Sequence, residues 1–263
     1  MSISLSFPIS LNSVLCQGEV GSTEGSQCDD SFSKMFPTMR QNVIAALQEL
    51  ADEIDTMYDP ILKEAKDHVH ADECILVYGY STFVDMFLKG AARKRRYQVI
   101  IAEAGPSLEG HKLAASLAAS PNISTTLIPD SSIYAIMCRV NKVVVSPHAV
   151  MADGGAICSS GHMMVARAAK DFSVPVIAVT GVITLTPMFP HNQSLALGEL
   201  LSPASIIPYD TKVNMSNVEV FVPAYESLSP DLLDLYVTNN GSHQPSYIYR
   251  LLSEFYHPHD HEL

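Results

Sequence analysis

From residue 73 onward the chain alternates, and that alternation limits what it can fold into more than any other feature. Short runs rich in Val, Ile, Tyr and Thr occupy 74–80, 97–102, 124–128, 142–146, 175–180 and 218–222. Helix-compatible segments fill most of the gaps, near 82–96, 107–120, 131–139 and 162–172. Strands and helices of these lengths in alternation read as βαβ units with right-handed crossovers. The fold class expected is therefore α/β: a Rossmann-like, doubly wound, mostly parallel sheet covered on both faces. The chain has 263 residues, 47% of them apolar, which is enough for one large core.

The flanks read differently. Residues 1–38 form a polar lead-in without sustained periodicity. Over 39–72, Val43, Ile44, Leu47, Leu50, Ile54, Ile61 and Ala65 recur at spacings of three and four. This predicts an amphipathic helical segment, with Pro60 dividing or kinking it. The Rossmann-like domain then takes 73–263. Pro187, Pro190, Pro203 and Pro208 interrupt it in a long excursion over 181–217. Two short helices are expected at the end, 229–235 and 246–255, around a loop at 239–243.

Composition narrows the chemistry. The net charge of −12 argues against a direct nucleic-acid or anionic-membrane partner. Five cysteines without a CxxC pair suit free thiols in a reducing compartment, hence the cytosol. No apolar run is long enough for a membrane helix. No metal or other cofactor is expected: His257, His259 and His261 alternate with Pro and acids at the chain end, where a solvated tail is the simpler reading.

In an open α/β sheet, ligands bind beyond the C-terminal ends of the strands, so the turns there carry the candidate residues. Gly79-Tyr80-Ser81-Thr82 opens a helix whose free N–H groups suit an anion, or is a packing turn alone. Glu103, before Gly105 and Pro106, accepts from ligand hydroxyls or serves the next helix. The richest stretch runs from Ser146 through His148 and Asp153 to Cys158, Ser159 and His162. Cys158 invites a nucleophile reading, but no base lies at a determinable distance. The basic run 93–96 ends a helix and complements its dipole.

Three stretches carry a family resemblance: 91–100 (AARKRRYQVI), 139–145 (RVNKVVV), and Asn239-x-Gly241 followed by 245–251 (PSYIYRL). From near Asn42 onward the chain resembles the alpha/beta/delta family of subunits of eukaryotic translation initiation factor 2B, and the C-terminal string resembles its beta members most. The resemblance implies a regulatory, non-catalytic subunit of a guanine-nucleotide exchange complex, with alpha, delta, gamma and epsilon subunits as partners. Initiation factor 2 would be reached through that complex. It further implies an interface around His70, Asp72, Gln98 and Ile100, and another at Tyr247, Tyr249 and Arg250. For the two tyrosines, closing the protein's own core is the competing reading.

The same fold serves sugar-phosphate isomerases, the enzyme alternative. In those enzymes a catalytic Cys stands where this chain has Gly79, an Asp where it has His148, and an Asn-Lys pair where it has Cys158-Ser159. Isomerisation needs a proton-moving group and a carbonyl polariser, and Gly79 supplies neither. What remains is a vestigial ligand pocket formed by Gly79, Glu103, His148, Asp153 and Ser159, a small-ligand sensor in the third reading. The helical segment before the first strand is short for the family, which puts direct contact with initiation factor 2 in doubt.

Overall fold

The computed structural model describes residues 28–189, 199–209 and 217–256. The chain divides into two compact units, Tyr58–Tyr249 and the remainder. In the remainder, helix α1 (Cys28–Thr56) starts N-terminal to the point where the apolar periodicity sets in. Its stripe of Val43, Ile44, Leu47, Leu50 and Ile54 stays 40–60% exposed.

The larger unit begins with α2 (Tyr58–His68). The break between the helices falls at Met57, and Pro60 lies in the first turn of α2, where a missing N–H costs no helical bond. There follow β1 (Cys74–Tyr78), α3 (Thr82–Ala92), β2 (Tyr97–Ala102), α4 (Glu109–Ala118) and β3 (Ile123–Ile128). The 131–139 helix is broken into 3-10 turns flanking a short α5 (Ile133–Ile136). After it come β4 (Lys142–Val145), β5 (Ala149–Val150), β6 (Ala156–Ser159), α6 (His162–Asp171) and β7 (Val176–Val179). Beyond the excursion lie β8 (Tyr225–Leu228), β9 (Leu235–Thr238) and β10 (Gly241–His243), and the unit ends in the first residues of α7 (Ile248–Phe255), whose residues from Arg250 on belong to the other unit.

The strands form a seven-stranded sheet in the order β10-β9-β7-β4-β1-β2-β3, parallel except for β10. A second sheet of β5, β6 and β8 is antiparallel. Alternation along each strand sends Ile75, Val77, Val99, Ile101, Val144 and Val179 into one core, together with Phe87 and Leu88 of α3 and Leu113 and Leu117 of α4. The buried residues of α6, Val165, Ala166 and Ala169, lie outside that core and cover the opposite face at β4.

Four expected elements differ. No strand forms at 218–222: Val218 and Phe221 are 54% and 67% exposed, and the strand in this region is β8, three residues later. The helix expected at 229–235 is a single 3-10 turn, Pro230–Leu232, leading into β9. Tyr236 and Val237 are both wholly buried, one on each face of β9, so pairing with β7 outweighs the local helical pattern. Of the loop expected at 239–243, Asn239 and Asn240 alone are the turn of the β9–β10 hairpin, and 241–243 is β10 itself, with Gly241 at φ +105°. Likewise, the stretch read as one long turn after β4 contains β5 and β6.

Candidate functional site

β1 and β4 are neighbours, yet the chain leaves them in opposite directions, toward β2 and β3 from one and toward β7 and β9 from the other. Such a reversal of strand order leaves a crevice at the C-terminal ends of the two strands. Here it is a cleft of about 320 Å³, whose lining includes Tyr78, Ser81, Thr82, Ser146, His148 and His162.

Ser81 stands at the N-cap of α3 in extended conformation, where a serine hydroxyl usually accepts from the helix's first N–H groups. It does not do so here. Its Oγ accepts instead from Ser146 Oγ, at 2.8 Å across the β1–β4 boundary. The first turn of α3 therefore has no side-chain cap, and its residues Thr82, Phe83 and Val84 line the cleft.

The start of α6 is closed. Gly161 holds φ +108°, and a Cβ there would lie 2.0 Å from the Tyr78 hydroxyl. The Glu226 carboxylate, reaching over from β8, accepts the Met163 N–H, and those of Gly161 and His162 bond it as well. Burial raises the Glu226 carboxyl above the ordinary range, and the three N–H bonds pull it partly back. The Tyr78 phenol is pushed up, first by burial and then by the carboxylates of Asp130 and Glu226. It stays protonated and donates a long bond, 3.5 Å, to Asp130 Oδ2. The same Asp130 carboxylate accepts the N–H groups of Ala104 (3.0 Å) and Gly105 (2.8 Å).

His162 is 3% exposed. Its Nδ1–H donates to the Ser159 carbonyl at 2.8 Å, which places the proton on Nδ1. Burial lowers its pKa to about 4, so the ring is neutral. Its Nε2 makes no hydrogen bond among the described residues, and the ring lines the cleft edge-on to Tyr78, centroids 5.0 Å apart. His148, also lining, stands edge-on to Tyr225 at 5.1 Å.

Of the five residues expected to form a pocket, the structure brings His148 and Ser159 together on the cleft wall. Gly79, at φ +73°, lies between the lining residues Tyr78 and Tyr80. Glu103 does not line the cleft; its main chain bonds Ile128 and Gly110 while its charge acts on Tyr78. Asp153 does not line it either. Its carboxylate accepts the Gly155 N–H at 2.8 Å and so closes the β5–β6 hairpin. Cys158 is buried in β6, and burial holds its thiol protonated, which removes it as a nucleophile. The sequence reading missed Tyr78, the Ser81–Ser146 pair and Glu226. Glu226 had no local signal to find, since it acts 63 residues from Met163. No group of His, Cys, Asp and Glu fit for a metal occurs among the described residues, and 257–261 lie outside them.

Among the residues expected at interfaces, His70 and Asp72 are exposed in the loop before β1. Gln98 is half-buried and donates to Thr126 Oγ1 at 3.3 Å. Ile100 departs from the expectation: at 3% exposure it is core, because β2 is flanked by β1 and β3. Tyr247 stacks on His243, rings 5.1 Å apart, while Tyr249 is 60% exposed with its ring 6.3 Å from Phe189. Arg250 is exposed. β3 is an edge strand, and Ser124 and Thr126 beside Gln98 leave that corner of the sheet open. No helix among the described residues is long and apolar enough to cross a membrane.

The sequence model of the initiation factor 2 subunit family matches residues 20–245. Translation initiation factor eIF2B subunit beta of Dictyostelium discoideum is 42% identical over 234 residues, covering 89% of this chain and 60% of that protein. Ribose 1,5-bisphosphate isomerase of Haloferax volcanii is 24% identical over 230 residues, covering 86% and 70%. Among solved structures, eIF2B beta from Chaetomium thermophilum superposes with a TM-score of 0.68 at 28% identity, covering 85% of this chain and 60% of that one. A chain of the tetrameric eIF2B-beta2-delta2 complex of the same organism gives 0.65 at 29%, covering 83% and 66%.

Proposed function

The chain belongs to the initiation factor 2 subunit family, and on that premise we propose that it is a beta-like, non-catalytic regulatory subunit of the translation initiation factor 2B exchange complex. The observation that carries the reading is the 42% identity to a beta subunit across 89% of the chain. Its partners would be the delta, alpha, gamma and epsilon subunits, with initiation factor 2 engaged through the assembly, in the cytosol. Pairing with a delta subunit draws support from the solved beta–delta tetramer.

The cleft supports the non-catalytic half of the reading. The turn after β1 offers a glycine where proton-transfer chemistry needs a functional side chain, and the thiol of Cys158 is buried. The open corner of the sheet at Gln98, Ser124 and Thr126 is the surface we assign to a partner subunit, with Tyr249 as a second contact. Exposed polar side chains along an unpaired strand edge suit such docking.

Co-expression of the full chain with a delta subunit tests this directly. Stoichiometric co-purification is expected; its absence overturns the assignment. Thr126→Arg should reduce the recovered partner about tenfold, equivalent to about 1.4 kcal/mol, and Tyr249→Ala somewhat less, with the melting temperature of the isolated chain little changed. A melting temperature that falls as steeply as recovery would give Tyr249 a role in the stability of its own chain and remove it from the interface.

Similarity to the Haloferax isomerase favours a second reading, an aldose–ketose isomerase on the same fold. An NMR assay with ribose 1,5-bisphosphate decides between them. No turnover is expected, and turnover abolished by a substitution in the cleft would establish the enzyme.

A further inference from the structure

The lining of the cleft contains one carboxylate, Glu109, and no lysine or arginine. A phosphate ester carries nearly two negative charges into a site, and the counter-charge available is the partial positive end of α3, about half an elementary charge. Glu109 opposes even that. The other helix start close by, at α6, is already filled by the Glu226 carboxylate and roofed by Tyr78.

The polar groups that remain point to hydroxyls. With Nδ1–H of His162 given to the Ser159 carbonyl, Nε2 can only accept, so a ligand group there must donate. The uncapped N–H groups at the first turn of α3 need an acceptor. The Ser81–Ser146 pair can serve in either sense. A hydroxyl group is both donor and acceptor, and satisfies all three without bringing charge. The aromatic lining of Tyr58, Tyr80 and Phe83 suits the C–H faces of a polyol, and the volume matches the small end of ligand sites, roughly 300 Å³.

We infer that this cleft binds an uncharged, polyhydroxylated molecule of about five or six carbons, one hydroxyl donating to His162 Nε2 and another accepting from the first turn of α3, and that it rejects the phosphate ester of the same molecule. The inference does not depend on the subunit role: it is read on the isolated full chain, whereas the subunit role is read by co-purification.

Saturation-transfer NMR and thermal shift with ribitol, myo-inositol and ribitol 5-phosphate test it. Transfer to at least one neutral polyol is expected, with ribitol 5-phosphate bound at least about tenfold more weakly than ribitol. His162→Phe should reduce the transfer severalfold. Should that variant fail to fold, Ser146→Ala, which removes only a hydroxyl, should reduce it about threefold. Glu109→Gln should narrow the gap between ribitol and its phosphate. The inference is overturned by absence of transfer from both polyols, by a phosphate ester that binds as well as its alcohol, or by transfer unchanged in a folded Ser146→Ala chain. A gap left untouched by Glu109→Gln would overturn the charge-based exclusion.

Discussion

Two helices start beside the same cleft, and they are finished in opposite ways. At α3 the turn Gly79-Tyr80-Ser81 leaves the first N–H groups without a side-chain cap and its residues line the cleft. At α6 the turn Ser159-Ser160-Gly161 is met by Tyr78 from above and Glu226 from the side. Locally the two turns use the same small, polar residues. The difference comes entirely from what the fold delivers to each: a serine just beyond β4 in one case, a carboxylate from β8 in the other. A helix terminus beside a cleft is therefore a binding group only where the rest of the chain leaves it alone.

Substituting the two glycines should break the comparison most sharply. Gly161→Ala forces a Cβ against the Tyr78 ring at positive φ, and a loss of about 3–5 kcal/mol is expected from overpacking plus left-handed strain. Gly79→Ala meets its nearest atom only at 3.9 Å. Strain alone should then cost about 1–2 kcal/mol. Chemical denaturation of both variants at one pH checks the pair.

Next in size is a pH effect confined to the closed end. The folded-state pKa of His162 is lowered from 6.5 to about 4 by burial. Between these values the unfolded chain binds a proton that the folded chain does not, so stability rises with pH. The contribution is complete above the unfolded pKa and is lost as pH falls from about 6.5 toward 4, roughly 3 kcal/mol in all. Urea midpoints measured across pH 4–7 should show this slope, and His162→Gln should flatten it.

The smallest effects compare the caps themselves. Glu226→Gln keeps an acceptor at α6 but removes the charge, for an expected loss of about 1–2 kcal/mol. Ser81→Ala at α3 removes a hydroxyl that caps nothing, and should cost about 0.5 kcal/mol or less. Equal losses in the two variants would erase the distinction between an open and a closed helix start.

How much of this was legible beforehand varies along the chain. β1, β2, β4, β7 and helices α3, α4 and α6 follow from period and composition, because each is long enough to bury a continuous apolar face. β9 was not foreseen: the helix expected at 229–235 overlaps it only at Leu235, and it is the presence of β7 alongside that draws 235–238 into the sheet. The 218–222 run had the alternation of a strand, but it meets a neighbour only at its end, where the Leu201 N–H donates to the Val222 carbonyl beside an isolated Leu200–Pro223 bridge, too little to make a strand. At the cleft, His148 and Ser159 were accessible to sequence reading because ligands gather after parallel strands. Glu103 and Asp153 looked equally suitable, but the first is not among the residues that line the cleft and the second satisfies its own hairpin.

The sequence by itself determined the α/β class, the family, and the absence of a functional side chain at Gly79, all properties carried by residue type and local spacing. The tertiary structure alone decided which polar groups meet. Ser81 is 65 residues from Ser146, and Met163 is 63 from Glu226. Those pairings depend on strand order, and strand order is settled by where buried faces find partners, which no local pattern specifies. For that reason the charge character of the cleft, closed to a second anion at α6 and open to hydroxyls at α3, emerges only once the sheet is assembled.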